Sequence, residues 1–160
     1  MDFFDRLKEP GKLVTGKGRL KKNLGEQING FEVWDELRRM LLDEESEYWD
    51  LYSPVERDEF IFQILFHLCL GGELCQYEDD LEPYLKATKL LYKDVISVSK
   101  DPETQHIVPT SLVFKAVAKT KNGQSYFPFD EDNPQNFCYL IIDPVKRVVT
   151  VIIHQFGSSF

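Results

Sequence analysis

The sequence predicts an α+β fold in which N-terminal helices pack on a mainly antiparallel C-terminal β-sheet. Apolar residues recur at helical spacing in the first half of the chain, up to about residue 93. Residues 94–155 instead consist of β-branched and aromatic runs that are separated by Asp-Pro, Asn-Gly and similar turn signals. With 160 residues and a 42% hydrophobic composition, the chain can bury a core of its own. Helices that precede strands in this order are typical of the α+β class.

Three helices are predicted between residue 31 and the sheet. The first extends over 32–43, where apolar residues recur three and four positions apart. The second has the clearest signals, because Ser53–Glu56 is a capping-box pattern and Gly71 and Gly72 form a left-handed stop. The third extends over 81–92, after aspartates that can cap its first turn.

Six runs are expected to form the strands of the sheet. They are 95–99, 105–108, 111–119, 124–127, 137–142 and 147–155. The last two runs are apolar on both faces. We therefore expect both to lie at the centre of the sheet, where each face of a strand is covered.

The chain is expected to divide near residue 30. Residues 1–30 begin with a short helix, and 11–30 contain five glycines together with several basic residues. Because each interior glycine costs a helix about 1 kcal/mol, this stretch predicts a mobile basic arm or linker. Residues 31–160 are expected to form a single α+β domain, with helices in 31–93 and the sheet in 94–155.

The net charge of −8 argues against a general nucleic-acid binder, which would carry a dominant basic surface. The charge is uneven, because residues 31–82 hold 16 acidic and 3 basic side chains. This helical half therefore offers an acidic face to basic protein surfaces. No apolar run approaches the ~18 residues of a spanning helix, so we expect no membrane insertion. Three cysteines without framework spacing predict reduced thiols in an intracellular protein.

Motifs for catalysis or cofactor binding are incomplete. Residues 11–18 resemble a phosphate-binding loop, but a glycine occupies the position of the magnesium-binding hydroxyl. His67, Cys69 and Cys75 lack the tight spacing of a structural zinc site. We therefore predict a non-enzymatic protein without catalytic residues, cofactor or metal. The alternative is a small-ligand or metal-binding, enzyme-like domain with a site around His67, Cys75 and Glu78.

The connector that follows the second helix has an unusual composition. After its double glycine it contains a thiol, a glutamine, a tyrosine and a run of acids instead of ordinary loop residues. Tyrosine is a favoured anchor in protein interfaces, so the connector is a candidate contact surface. A connector that folds back on the core would have the same composition, and the residues leave both interpretations open.

Motifs along the chain form a recognisable set. The central ones are Leu68-Cys69-Leu70-Gly71-Gly72, Leu74-Cys75-Gln76-Tyr77-Glu78-Asp79, Pro83-Tyr84-Leu85, Thr88-Lys89 and Tyr92-Lys93-Asp94. The flanking ones are Phe3-Phe4-Asp5-Arg6-Leu7, Asp35-Glu36-Leu37-Arg38, Met40-Leu41-Leu42, Glu56-Arg57, Glu59-Phe60 and Ile142-Asp143-Pro144 with Arg147. Together they resemble the signature of the cilia- and flagella-associated protein 300 family over almost the whole chain.

The resemblance implies a cytoplasmic factor of motile cilia and flagella that is needed to assemble the inner and outer dynein arms of the axoneme. It implies binding to dynein-arm preassembly factors and links to intraflagellar transport, with no enzymatic activity. Two departures accompany it. Family members carry a further N-terminal region ahead of the Phe3-Phe4 motif, and the glycine-rich stretch 11–30 does not follow the family pattern.

The candidate protein-binding residues lie in and after this signature. They are Gly71, Gly72, Gln76, Tyr77, Glu78 and Asp79, supported by Tyr92, Lys93 and Asp94. The glycines would set the backbone and the tyrosine of the connector would anchor a partner. The acids would attract a basic partner surface.

Overall fold

A computed structural model describes residues 2–71 and 78–157 of the chain. The described helices are α1 (Glu36–Leu42), α2 (Pro54–Asp58), α3 (Phe60–Leu70) and α4 (Leu81–Val95). The described strands are β1 (Lys22–Ile28), β2 (Phe31–Asp35), β3 (Val98–Lys100), β4 (Ile107–Pro109), β5 (Leu112–Lys115), β6 (Ala118–Lys119), β7 (Ser125–Phe127), β8 (Phe137–Asp143) and β9 (Val148–His154). Helices lie mostly in the first half and an antiparallel sheet in the second, which confirms the α+β class. The chain divides into two compact units, Met1–Lys89 and Leu90–Phe160.

The stretch 11–30 differs from the arm or linker that its glycines predict. Strand β1 pairs with β2 in an antiparallel hairpin, and Asn29 and Gly30 form its two-residue turn with positive φ angles of 51° and 84°. An Asn-Gly turn of this kind matches the twist of the two strands. Gly25 leaves room for the Trp34 ring, since a Cβ there would lie 2.6 Å from it. The glycines therefore shape a hairpin, and the boundary predicted near residue 30 falls within its turn.

The predicted first helix is a strand followed by a helix. Along β2, burial alternates between the two faces, with Phe31, Val33 and Asp35 buried. The helix begins only after Asp35, whose Oδ1 accepts a hydrogen bond of 2.9 Å from Arg38 N. An aspartate at this position caps a helix and favours its start there. The helix predicted over 32–43 is therefore correct for α1 but wrong for residues 32–35, which belong to β2.

The predicted capping box is confirmed at the start of α2. Glu56 N donates to Ser53 Oγ at 3.3 Å, and Ser53 N donates to Glu56 Oε2 at 2.9 Å. The second predicted helix is interrupted, because Glu59 has extended backbone angles between α2 and α3. Gly71 ends α3 with a positive φ of 66°, as predicted for a glycine stop. Gly72 lies outside the described residues.

The core of the N-terminal unit brings the hairpin and the helices together. Phe31 and Val33 of β2 cluster with Leu42 at the end of α1 and Leu70 at the end of α3. Further fully buried side chains of this unit include Phe4, Leu7, Leu37, Met40, Leu65 and Leu85. Each buried apolar side chain of this size contributes about 1.5–3 kcal/mol, so their burial stabilises the unit.

The C-terminal unit contains a three-stranded antiparallel sheet in the order β5-β8-β9, with two-stranded pairs β3-β4 and β6-β7. The prediction that both β8 and β9 occupy the centre is correct for β8 and wrong for β9. Among the described strands β9 pairs only with β8, and about half of the surface of Val149 and Val151 is exposed. No helix of the described chain combines the length and apolarity needed to cross a membrane.

Candidate protein-binding site

The structure separates the predicted contact residues into two groups. Glu78 and Asp79 lie just before α4 and are exposed, whereas Tyr92, Lys93 and Asp94 lie near its C-terminal end. The two groups of described residues therefore lie at opposite ends of one helix. Gly71 closes α3, and Gly72, Gln76 and Tyr77 lie outside the described residues.

Asp79 is already paired with basic side chains of the same chain. Its Oδ1 lies 2.6 Å from Lys22 Nζ, and its Oδ2 lies 3.3 Å from Arg19 Nη2. The hydrogen bond from Lys22 is the main reason that the pKa of Asp79 is lowered. Lys22 and Arg19 thus compete with a basic partner for Asp79. Of the two predicted acids, Glu78 is therefore the better candidate to contact a partner.

The glycine-rich stretch contacts the start of α4 through its backbone as well. Leu20 N donates to Asp79 O at 2.8 Å, and Leu81 N donates to Gly18 O at 3.2 Å. Arg19 and Asp80 form an antiparallel β-bridge between these two bonds. The basic residues of the stretch therefore cover part of the acidic segment. The sequence shows only that one segment is basic and the other acidic, not that the two are in contact.

A buried ionic cluster joins three of the sequence motifs. The Arg38 guanidinium donates to Asp35 Oδ2 through Nη1 and to the Tyr84 hydroxyl at 2.6 Å through Nη2. The side chain of Arg38 is only 3% exposed, and that of Asp35 is equally buried. Cys69 is fully buried beside this cluster, and burial raises the pKa of its thiol. A thiol in this environment is inert, because thiolate is the reactive and metal-binding form.

A second network ties the N-terminal motif to α2. Arg6 donates to Leu51 O and to Glu56 Oε1, both at 2.7 Å, and its guanidinium lies 4.5 Å from the centre of the Tyr52 ring. The hydrogen bond from Arg6, followed by that from the Ser53 backbone, lowers the pKa of Glu56 to about 2. The polar residues of these motifs therefore hold the unit together instead of forming an open site.

Arg57 organises the segment between α1 and α2 in a similar way. Its Nη2 donates to Trp49 O at 2.7 Å and to Met40 O at 3.1 Å. Its guanidinium stacks 3.5 Å from the centre of the Trp49 ring. Burial lowers the pKa of this guanidinium, although acidic neighbours partly oppose the effect.

The C-terminal unit contains one hydroxyl, carboxylate and ammonium cluster that sequence motifs do not indicate. Ser97 Oγ donates to Asp143 Oδ2 at 2.5 Å, and Lys146 Nζ lies 3.0 Å from the same hydroxyl. A lysine acts as a base when burial favours its neutral form, but the Lys146 side chain is 69% exposed and contacts Asp143. Asp143 also accepts hydrogen bonds from the backbone of Val145 and Lys146. The cluster therefore pins the β8–β9 turn.

The structure gives limited support for a metal or ligand site. His67 lies in α3, Glu78 precedes α4, and Cys75 lies outside the described residues. Within 2–71 and 78–157, no three His, Cys, Asp or Glu side chains are placed to hold a metal ion. The alternative site around these three residues thus remains a prediction.

The hydrogen bonds that Asp143 accepts predict that the stability of the C-terminal unit depends on pH in the acid range. Its pKa is lowered to about 2, mainly by the hydrogen bond from Lys146 N and then by that from Ser97. An unfolded aspartate titrates near ~3.9, so the ionised carboxylate stabilises the folded unit above about pH 4. This contribution is lost as the pH falls through the folded pKa of about 2. Asp143→Asn should therefore show a flatter decline of melting temperature with acid, measured by circular dichroism.

The control for this experiment is Asp132→Asn, which replaces an exposed carboxylate of the same unit. It should keep the pH dependence of the wild type. If the melting temperatures of Asp143→Asn and the wild type fall in parallel with acid, Asp143 does not carry the sensitivity.

The fold and these contacts define an α+β protein whose sequence motifs mainly serve internal packing. The chain belongs to the cilia- and flagella-associated protein 300 family, whose sequence profile matches residues 1–154. The family protein from Chlamydomonas reinhardtii is 38% identical over 157 residues, which cover 98% of this chain and 61% of the relative. The one from Paramecium tetraurelia is 36% identical over 155 residues, or 97% of this chain and 58% of the relative. The chain thus spans about three-fifths of these relatives, and no solved structure matches it.

Proposed function

We propose that this chain is a non-catalytic ciliary and flagellar protein that supports assembly or transport of the inner and outer dynein arms of the axoneme. Family membership supports this proposal most directly, because relatives that align with almost the whole chain carry a cilia- and flagella-associated name. The engagement of Arg38, Asp79 and Asp143 in contacts within the chain also favours a binding role over catalysis. The protein acts in the cytoplasm and the motile cilium.

The proposed partners are dynein-arm preassembly factors and, beyond them, the intraflagellar transport machinery. The proposed contact surface lies in the segment from Gly71 to Asp79, with Tyr77 as the apolar anchor and Glu78 as the acid for a basic partner. Glu78 takes this role over Asp79 because Lys22 and Arg19 already neutralise the latter. Tyr92, Lys93 and Asp94 would form a separate contact at the far end of α4.

The Tyr77→Ala/Glu78→Ala variant tests this contact surface. We expect it to capture less of the dynein-arm preassembly factors from extracts of ciliated cells than the wild type does. Its stability should remain within about 1 kcal/mol of the wild type, as is usual for substitutions away from a core. Quantitative mass spectrometry of the captured proteins, with a denaturation curve of each bait, measures both quantities.

A matched control is Tyr126→Ala/Asp58→Ala, which removes an exposed tyrosine and an exposed acid elsewhere. Capture by the control should equal that of the wild type. Unchanged capture by the Tyr77→Ala/Glu78→Ala variant would contradict the contact surface, and a collapse of its stability would place these residues in the core. Stoichiometric zinc in the purified protein that is lost in Cys75→Ser would instead favour the ligand-binding alternative.

A further inference from the structure

The three-stranded sheet of the C-terminal unit has one face that consists only of apolar residues. Strand pairing places Leu112 opposite Ile142, Phe114 opposite Leu140, and Leu140 in turn opposite Val151. Since successive side chains of a strand point to opposite faces, the register assigns every residue of the sheet to one side. We call the outer face the side formed by Leu112, Phe114, Cys138, Leu140, Ile142, Val149, Val151 and Ile153.

The opposite face of the same sheet is mixed in composition, because it also contains Lys115 and His154. It contains Tyr139 and Ile141, which are almost fully buried, together with the pinned carboxylate of Asp143. An antiparallel sheet that is covered on one side usually alternates between apolar residues inside and polar residues outside. The outer face departs from that pattern, because it is the exposed side of the sheet and yet contains no polar residue.

The outer face is exposed in spite of its composition. Five of its side chains are between 49% and 55% exposed, namely Leu112, Phe114, Val149, Val151 and Ile153. Together they leave on the order of 500 Å² of apolar surface open, near the upper end for the largest patch of a monomeric protein. The largest apolar patch of a monomer is often functional, which makes this face a candidate interaction surface.

We propose that the outer face is an interface between two copies of the chain, which pack sheet against sheet. Two such faces together bury about 1,000 Å², which is the lower limit for a specific protein–protein interface. The outer face contains no charged residue, so an identical face opposes it without repulsion between like charges. The inference is independent of the proposed function, because it uses none of the candidate contact residues.

Packing of the two outer faces accounts for the exposed apolar side chains of the sheet, whereas pairing of edge strands would not. In the described chain β9 is an edge strand with seven residues and no charge or proline, a type that can also pair with a strand of another molecule. Edge pairing would satisfy its backbone but leave both outer faces in water. Face-to-face packing covers the apolar side chains at the ~10 Å spacing of stacked sheets.

Lysine substitutions on the two sides of β9 test the proposal. Val151 and Val148 are the same residue type and are 53% and 51% exposed, but only Val151 lies on the outer face. We expect Val151→Lys to raise the dissociation constant of the dimer about tenfold or more, because the lysine would be buried without a partner. Leu112→Lys, on the same face but on β5, should do the same, whereas Val148→Lys should leave the dimer intact.

Sedimentation equilibrium over a wide concentration range measures the dissociation constant, and circular dichroism melts check that each variant folds. Should a lysine variant unfold, Val149→Thr/Val151→Thr keeps the shape and strand propensity of both side chains and should still weaken the dimer. A wild type that stays monomeric, or that forms open-ended aggregates, would overturn the proposal. If Val151→Lys dissociates the dimer but Leu112→Lys does not, the copies pair through the edge of β9 and the proposal is wrong. If Val148→Lys weakens the dimer as much as Val151→Lys does, the outer face is not the interface.

Discussion

Replacing Arg38 with methionine should lower the free energy of unfolding of the N-terminal unit by about 3–5 kcal/mol. The substitution keeps an unbranched apolar stem but removes the charge that opposes Asp35 and the donor to Tyr84. It leaves the carboxylate buried without its partner, and an uncompensated buried charge is among the costliest defects in a protein. Both tryptophans, Trp34 and Trp49, lie in this unit, so urea unfolding followed by tryptophan fluorescence measures its stability directly.

The matched control is Arg39→Met at the next position of α1. Arg39 pairs with Asp43 at 3.2 Å in a position that is partly open to solvent, unlike that of Arg38, and loss of such a pair costs about 1 kcal/mol. In an Asp35→Asn background the cost of Arg38→Met should shrink, because the capping oxygen remains but the buried charge is gone. Equal losses for Arg38→Met and Arg39→Met would show that the cluster does not stabilise the unit.

The buried cluster also explains why the motifs of the chain are spread so widely. Asp35, Arg38, Cys69 and Tyr84 belong to three separate motifs, and they meet in one place inside the N-terminal unit. A motif residue in this position acts through stability, and its replacement would reduce binding only by unfolding the unit. The contact surface must therefore be sought among the remaining exposed positions, such as Glu78.

Local signals were sufficient for much of the fold. The capping box at Ser53–Glu56 and the glycine stop at Gly71 depend on residues within one helical turn of each other. Such short-range interactions can be identified from residue types and spacing alone. The Asn29-Gly30 turn was equally local, but the density of glycines around it favoured a linker over a hairpin.

Long-range pairing was beyond prediction from one sequence. The charge counts indicated a basic stretch and an acidic segment, but not that Arg19 and Lys22 would contact Asp79 across about 60 positions of the chain. The pattern of β9 indicated a strand covered on both faces, whereas its place at the edge is decided by the topology of the sheet. An apolar strand at an exposed edge of the sheet is the observation on which the proposed dimer interface rests.

Replacing Arg57 with alanine should cost the N-terminal unit about 2–3 kcal/mol. One guanidinium nitrogen satisfies the carbonyl oxygens of Trp49 and Met40, and the plane of the group covers the Trp49 ring. Alanine would leave both carbonyls without this donor and would open the space above the ring. The same urea unfolding measurement applies, and the emission maximum of Trp49 should shift to longer wavelength even before unfolding.

Arg57→Lys separates charge from shape in this contact. Lysine keeps the positive charge but has neither the planar group that stacks on Trp49 nor the fixed fork of donors, so most of the loss should persist. Arg19→Ala is the control for removal of an arginine from the surface, where its pairs with Asp79 and Asp80 are exposed to solvent, and it should change stability by less than about 1 kcal/mol. If Arg57→Lys has the same free energy of unfolding as the wild type, the positive charge alone stabilises this segment. If Arg19→Ala lowers the free energy of unfolding as much as Arg57→Ala does, burial of the Arg57 guanidinium contributes nothing.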